Sequence, residues 1–305
     1  MIRHELSDGP LGPRLFGLPP GSIVALGPGV HRGPVALPHD ITLVAAGGLG
    51  SASIVGHRGP AVTVEGAGSV RIEGLLLRGP EAGAGAALQV YMAAEVHVVA
   101  CLLSSGRGRG EGGGAVDVQQ GRVRLERCRL TRNRAPQGGA VRCAGAARVE
   151  LESCVLHANV ADGAGGGALF ASRGGSIEAV GCTFVGNEGA RGSVALAGGG
   201  AGGGGTVELR SCLIAADAQG EALQAEQGGA LSARRCVLPR APGSAASVDT
   251  DASVEVRVLD VELQGQTPFA ARFAPLLREK GDAGDFRAPV DVWNKSRTIW
   301  LGAVG

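Results

Sequence analysis

Aromatic residues and long apolar runs are scarce in this chain. Their scarcity helps to decide which classes of protein the chain can belong to. Phe, Trp and Tyr make up 3% of the 305 residues, although 44% of the residues are hydrophobic. The apolar content is therefore mostly Ala, Val and Leu, which suits a narrow, layered interior and argues against disorder. No stretch approaches the roughly 18 uninterrupted apolar residues of a membrane-spanning helix, so we expect no membrane insertion.

The chain has no large excess of either charge, and its first residues do not predict a secretory leader. Its net charge of +1 offers no global field that would recruit nucleic acid. The opening "MIRHELSDGPLGPRLFGLPPG" carries acids early and holds no apolar run of a leader's length. Together with seven cysteines, an odd number, this predicts a reducing cytoplasm and free thiols. A secreted chain from which a leader had been removed would look the same.

Glycine is abundant, at 54 residues, and the cysteines are periodic. When the copies of this repeat are aligned, three positions carry similar residues in successive copies, which are 24 to 30 residues apart. We call these positions columns. Six cysteines lie in the first column, each between aliphatic positions: Cys101, Cys128, Cys154, Cys182, Cys212 and Cys236. Apolar anchors form the second column, in blocks such as "GAVDV" and "GALFA": Val62, Leu88, Val116, Val141, Leu169, Val194 and Leu223. Asn or Asp follows the cysteine by five residues: Asn133, Asn159, Asn187 and Asp217.

Each copy of the repeat contains two short strands with alternating polarity, separated by turns. A copy is too short for a strand, a helix and a second strand, so a parallel β-solenoid with stacked coils is the economical fold. The cysteines would then pack as small apolar residues inside the coil, with no C-x-x-C or His cluster for a metal. We expect no metal and no cofactor. The Asn column would mark a corner with left-handed backbone.

Several motifs resemble a known superfamily. "CTFVGN", "GNEGARGSVAL", "QGGAV" and "GGGAL" are similar to the G-G-A-[I/L] and F-x-x-N repeats of polymorphic outer-membrane and autotransporter passenger proteins. The coils as a whole resemble the pectin-lyase-like superfamily. This resemblance implies an all-β, right-handed parallel β-helix of about nine to ten coils with terminal caps. It is specific for the fold and unspecific for function, because the fold carries lyases, hydrolases, adhesins and inert scaffolds.

The repeat also predicts the organisation of a single domain. Residues 1–20 would cap one end, residues 21–260 would form the coils, and residues 261–305 would cap the other end, since an open coil is an unpaired sheet edge. The frame reaches "VEVRVL", aligned from Val254. Residues 269–281 are amphipathic at helical spacing and are assigned to the C-terminal cap, which Trp293 and Trp300 would seal.

Two groups of charged residues are candidate binding sites. Arg107, Arg109, Arg132 and Arg134 follow the strands of neighbouring coils and could form an anion-binding edge or solvated turns. The glycine runs 106–114 and 198–205 lack the Lys-Ser/Thr of a phosphate loop and are predicted to be turns. On the cysteine-bearing strand, Glu150, Glu178 and Glu208 share one outward column. These glutamates could bind a cation or a basic partner, or be screened by Arg124 and Arg210.

The second strand of each repeat is predicted to present a flat outward face with few groups that could catalyse a reaction. Its outward column reads Thr63, Gln89, Asp117, Arg142, Phe170, Ala195 and Gln224. The single acid, Asp117, would be neutralised by Arg142, whereas carbohydrate-cleaving β-helices need several carboxylates or a calcium-and-arginine arrangement on one face. We therefore predict no catalytic residues.

The leading functional hypothesis is a non-catalytic solenoid that acts as a scaffold or recognition module for a protein partner, an assembly or a polymer. A carbohydrate-active enzyme, either a polysaccharide lyase or a glycoside hydrolase, is the alternative. A third hypothesis is a cytoplasmic interaction partner that uses the Glu column or the Arg turns.

Overall fold

Three long parallel sheets form the structure, a computed structural model, and successive coils of the chain add strands to these sheets. The structure describes residues 2–37, 40–80, 83–92, 94–163, 165–199, 203–215, 222–226, 228–238, 246–248, 255–259 and 262–263. Strands are numbered in chain order, and neighbours in each sheet are parallel.

Sheet 1 contains eleven strands, those that carry the residues before each periodic cysteine. They are β1 (Arg3–Leu6), β3 (Ser22–Leu26), β6 (Ile41–Ala45), β9 (Ser69–Glu73), β12 (Glu95–Val99), β15 (Gly121–Glu126), β19 (Ala147–Glu152), β23 (Ser176–Val180), β27 (Thr206–Arg210), β30 (Ala230–Arg234) and β33 (Glu255–Leu259).

Sheet 2 contains eleven strands that follow the cysteine corner. They are β2 (Gly9–Pro10), β4 (Gly29–Arg32), β7 (Ala52–Val55), β10 (Leu76–Arg78), β13 (Leu102–Ser104), β16 (Arg129–Thr131), β20 (Val155–His157), β24 (Thr183–Val185), β28 (Leu213–Ala215), β31 (Val237–Leu238) and β34 (Glu262–Leu263).

Sheet 3 contains nine strands, which carry the second apolar column. They are β5 (Val35–Leu37), β8 (Val62–Val64), β11 (Leu88–Val90), β14 (Val116–Val118), β18 (Val141–Ala144), β22 (Leu169–Ser172), β26 (Ala195–Ala197), β29 (Leu223–Ala225) and β32 (Ala246–Val248). A small sheet of three strands lies at one corner: β17 (Arg134–Ala135), β21 (Val160–Ala161) and β25 (Glu188–Gly189).

The solenoid has about eight turns, slightly fewer than the nine to ten predicted. Its interior is one continuous apolar core in which equivalent residues stack from coil to coil, such as Val96, Val123 and Val149 on sheet 1. Leu, Val and Ala make up most of it, and each inward-facing strand side chain meets the opposite sheets across a narrow bore. The all-β parallel β-helix predicted from the repeat is therefore confirmed.

The N-terminal segment continues the sheets before it closes the end. Strands β1 and β2 pair with β3 and β4, and a four-residue helix, α1 (Gly12–Leu15), packs against β5. Leu11 and Leu15 on this segment are buried. The predicted C-terminal helix at 269–281, Trp293, Trp300 and Asp217 lie outside the described residues. Among the described residues there is no helix long and apolar enough to cross a membrane.

The asparagine column forms a hydrogen-bonded ladder. The prediction that these asparagines have left-handed backbone is wrong, because the left-handed residue comes one position earlier. The Nδ2 of Asn133 donates to the Oδ1 of Asn159, and Asn159 donates in the same way to Asn187, each at 2.9 Å. The left-handed residues are instead Arg132 and Ala158, with φ of 54° and 51°. The corner turns one residue earlier, which leaves the amides pointing inward to satisfy buried backbone groups.

Two predicted registers are also wrong. Leu169 pairs with Ala195 rather than with Val194, so Leu196 rather than Ala195 takes the outward position beside Phe170. Val194 fills the column of small residues occupied by Ala168 one coil earlier. In the last strand of sheet 1, Leu231 pairs with Val256, two residues after the predicted Val254.

Candidate functional site

The outer face of sheet 3 is not flat, because the glycine-rich loop 106–114 folds over it. The loop passes so close to β18 that a Cβ on Gly113 would lie 2.9 Å from the Cβ of Arg142. Loop and sheet enclose a cleft of about 490 Å³. Its lining includes Gln89, Tyr91, Met92, Arg109, Glu111, Asp117, Gln119, Gln120, Arg142 and Arg173. The prediction of a flat face is therefore wrong, while the prediction that 106–114 is a turn is confirmed.

The floor of the cleft is a buried ion pair. The parallel register stacks Gln89, Asp117 and Arg142 on three neighbouring strands. The Nη1 of Arg142 lies 3.0 Å from the Oδ1 of Asp117, and the two residues are 3% and 2% exposed. The side-chain amides of Gln89 and Gln119 donate to the other carboxylate oxygen at 3.2 and 3.4 Å. The predicted pairing of Asp117 with Arg142 is confirmed, and two glutamine amides hold the Asp117 carboxylate in place.

A second acid reaches the cleft from the loop. One carboxylate oxygen of Glu111 lies 3.3 Å from Nη2 of Arg142, and the other lies 2.7 Å from Nη2 of Arg173 at the end of β22. Arg142 therefore binds two carboxylates through different nitrogens. The cleft is therefore lined by two acids, Asp117 and Glu111, rather than by the single acid predicted from the strand alone.

The charges in the cleft leave one cation without a partner. Arg109, Arg142 and Arg173 contribute three positive charges, and Glu111 and Asp117 contribute two negative charges, so the cleft carries one net positive charge. Within the part of the chain that the structure describes, the Arg109 guanidinium forms no ion pair or side-chain hydrogen bond. An exposed guanidinium beside a cleft is a ready partner for a carboxylate or phosphate.

Tyr91 lies beside this cluster, directly after β11. Burial, and then the negative charges of Asp117 and Glu65, raise the pKa of its phenol above the ordinary value. The hydroxyl therefore stays protonated at neutral pH and can donate a hydrogen bond to a ligand. Its ring, with the exposed side chain of Met92, supplies the apolar surface of the cleft.

The four predicted arginines lie in different surroundings, and their role as an anion-binding edge stays a prediction. Arg107 and Arg134 are bridge partners in neighbouring coils, and Arg134 pairs with Asp162 at 2.8 Å. Arg132 occupies the left-handed corner before Asn133. Only Arg109 reaches the cleft, because the loop carries it over sheet 3.

The Glu column on sheet 1 is stacked as predicted, and arginines neutralise it. Glu150 and Glu178 both pair with Arg148, at 2.7 and 3.0 Å. Arg210 pairs with Glu208 through two hydrogen bonds of 2.9 Å, which lowers the pKa of Glu208. Arg124 pairs with Glu152 instead of the column. A binding role for this column stays a prediction, and in the described ranges no three His, Cys, Asp or Glu residues are grouped as a metal site.

The cysteines pack in the interior, as predicted. All seven are free and buried, including Cys143, which stacks between Val118 and Ala171 inside sheet 3. Each thiol of the periodic column donates to the backbone carbonyl two residues earlier, as Cys101 does to Val99 at 3.3 Å. Burial raises the pKa of the Cys101 thiol to about 12. These thiols are structural and are shielded from reagents in solution.

Sequence reasoning missed Glu111, Arg173 and Tyr91, which complete the cleft. Glu111 is the only acid in the loop 106–114, and this isolated charge in a glycine run was an available signal. Arg173 lies 62 residues from Glu111, so no local pattern connects the two.

Comparison with solved structures agrees with the fold. A mutant of the PL6 family alginate lyase AlyGC superposes with a TM-score of 0.61 at 10% identity, covering 86% of this chain and 40% of the lyase. The pectin methylesterase from Aspergillus niger gives a TM-score of 0.50 at 12% identity, covering 86% of this chain and 80% of the esterase. The chain thus spans well under half the length of the alginate lyase. No protein-family model and no curated protein sequence matches the chain. With its stacked coils and these structural neighbours, the chain has the fold of a pectin-lyase-like parallel β-helix.

Proposed function

We propose that the protein is a polysaccharide-recognition β-helix whose cleft on sheet 3 binds a segment of an anionic saccharide chain. The observation that carries this proposal is the unpaired guanidinium of Arg109 beside a cleft rich in amide groups. A uronate carboxylate is planar and matches the two parallel donors of a guanidinium. The structural neighbours named for alginate and pectin support a polysaccharide ligand, although their identity to this chain is near 10%.

The remaining lining fits the rest of a sugar unit. Gln119 and Gln120 lie at the cleft with donors and acceptors for hydroxyl groups, and Tyr91 adds a hydroxyl donor and a ring. The cleft volume of about 490 Å³ lies within the roughly 300–1,000 Å³ of ordinary ligand sites. The floor of the cleft is built on strands, so Gln89, Asp117 and Arg142 are held in position before a ligand arrives.

Calorimetric titration with a panel of hexasaccharides tests the proposal. We expect oligogalacturonate or oligomannuronate to bind and neutral cello-oligosaccharide to bind much more weakly. Replacing Arg109 by Gln removes one charge-assisted contact and should weaken binding by about tenfold or more. Arg78→Gln is the matched control, because Arg78 is exposed on the outer face of sheet 2. Equal loss in both variants, or preference for the neutral sugar, would refute the proposal.

A carbohydrate-active enzyme is a second candidate, and the finding of Glu111 favours it. The two carboxylates bound to one guanidinium place two acids on a face where the strand alone supplies one. Incubation with alginate and with pectin, followed by assay of new chain ends and released methanol, distinguishes the candidates. If the protein only recognises polysaccharide, neither alginate nor pectin should be cleaved or de-esterified. Turnover that is lost in a folded Asp117→Asn variant would instead establish an enzyme.

A further inference from the structure

Glu111 connects three separate coils through its carboxylate. It belongs to the loop after β13, whereas Arg142 lies on β18 and Arg173 follows β22. The contacts of 3.3 and 2.7 Å use both carboxylate oxygens. No other side chain of the loop makes an ion pair with the sheet 3 face among the described residues.

The loop itself has little else to hold its tip. Six of the nine residues in "GRGRGEGGG" are glycine. Backbone hydrogen bonds hold the start of the loop, from Gly106 to the Oδ1 of Asn133 and from Gly108 to the carbonyl of Arg134. At the tip, a backbone bond from Gly112 to Arg109 closes a turn within the loop but does not tie it to the sheet. The carboxylate of Glu111 is therefore the main tether of the tip.

The groups that hold Glu111 are the ones that an anionic ligand would use. Arg173 and the outer nitrogen of Arg142 face the cleft, and both are occupied by the Glu111 carboxylate. A ligand carboxylate and the Glu111 carboxylate have the same shape and charge, so they compete for the same donors.

We propose that Glu111 is an internal competitor that occupies the anion subsite of the cleft until an anionic saccharide displaces it. This inference rests on the proposed function and adds a regulatory latch to it. Displacement frees the tip of the loop and exposes the Arg142 and Arg173 donors to the ligand. Glu111 and Arg173 are about half exposed, at 51% and 45%, so their ion pair is screened by solvent and easily exchanged.

The floor of the cleft does not depend on the latch. Arg142 keeps its buried partner Asp117 at 3.0 Å when Glu111 leaves, so no uncompensated charge remains inside the protein. A released Glu111 gains water in place of its two arginines. The cleft then presents Arg109 and Arg173, both of which line it, to an anionic ligand.

Binding of hexagalacturonate to Glu111→Gln tests the latch. We expect this variant to bind about three- to tenfold more tightly than the wild type, since it keeps the shape of the side chain and loses its competing charge. Glu95→Gln is the matched control, because it changes the net charge equally from the outer face of sheet 1 and should bind like the wild type. Arg173→Gln should bind more weakly. Amide hydrogen exchange at Gly110 and Gly112 should rise in Glu111→Gln while exchange in the strands stays constant.

The outcomes separate the latch from the proposed function. Tighter binding by Glu111→Gln alone, with or without measurable wild-type binding, supports the latch. Wild-type binding that is unchanged or weakened in Glu111→Gln overturns the latch and leaves the proposed function standing. Failure of both proteins to bind oligogalacturonate and oligomannuronate overturns the proposed function and the latch with it.

Discussion

At the scale of single residues, the buried asparagines of the corner find their hydrogen-bond partners along the solenoid axis. Asn159 accepts from the backbone and side chain of Asn133 at 3.2 and 2.9 Å, and it donates to Leu130 and Asn187 at 3.0 and 2.9 Å. One buried side chain thus connects three coils. An amide is suited to this place because it donates and accepts at once.

Replacing Asn159 by Ala should lower the free energy of unfolding by roughly 2–4 kcal/mol, because it leaves buried donors and acceptors of two coils without partners. Urea unfolding measures the effect. Glu188→Ala, on the exposed side of the same corner, is the control and should change stability by less than about 0.5 kcal/mol. Equal effects of the two substitutions would show that the ladder is not a stabilising element.

The buried thiols couple stability to alkaline pH. The folded-state pKa of Cys101, raised to about 12 by burial, lies above its value in the unfolded chain. Its contribution is therefore fully present below about pH 9 and is lost as pH rises towards 12. Between pH 7.5 and about 10.5 the wild type should lose about 2 kcal/mol more than Cys101→Ala, as urea unfolding at both pH values would show. An equal loss in the two proteins would contradict this account of the thiol.

At the scale of the element, the glycine pairs before β14, β18 and β22 set how closely these coils can stack. A Cβ on Gly139 would lie 2.2 Å from the carbonyl oxygen of Gly167, and a Cβ on Gly167 would meet Ser193 in the same way. Backbone passes directly over backbone at this corner. The repeated "GGA" is therefore a steric requirement of the stacking rather than a sign of flexibility.

Gly139→Ala should destabilise the protein by roughly 2–3 kcal/mol, since neighbouring coils must separate to admit a methyl group. Gly59→Ala is the matched control, because a Cβ there meets no atom within 4 Å. That substitution should be neutral or slightly stabilising. Thermal unfolding of the two variants compares them directly, and a neutral Gly139→Ala would show that the coils are less tightly stacked than described.

The same corner shows why the register of β26 was predicted wrongly from the sequence. The block "SVALA" predicts Val194 as the strand anchor, yet the register places Ala195 opposite Leu169. Ser193 occupies the position of the second glycine, as its contact with Gly167 shows. The spacing from the turn, and not side-chain volume, decides which residue faces the core.

At the scale of the whole molecule, the fold could be predicted because every coil repeats the same interior. Cys128, Cys154 and Cys182 fall in one column both in the sequence and in the structure, so alignment of the repeats already gave the strand pairing. The cleft could not be predicted, because Glu111 and Arg173 come from turns that do not repeat. Asp117 and Arg142 were found because both lie on strands in register.

The measurement that tests the central claim most directly is a crystal structure of the protein with hexagalacturonate or hexamannuronate bound. Our account predicts a saccharide in the cleft on sheet 3, with a carboxylate bound by Arg109 or Arg173 and with Glu111 displaced from Arg173. A saccharide bound on the outer face of sheet 1 beside Glu150 and Glu178, or on sheet 2, with the Glu111 contacts unchanged, would contradict it.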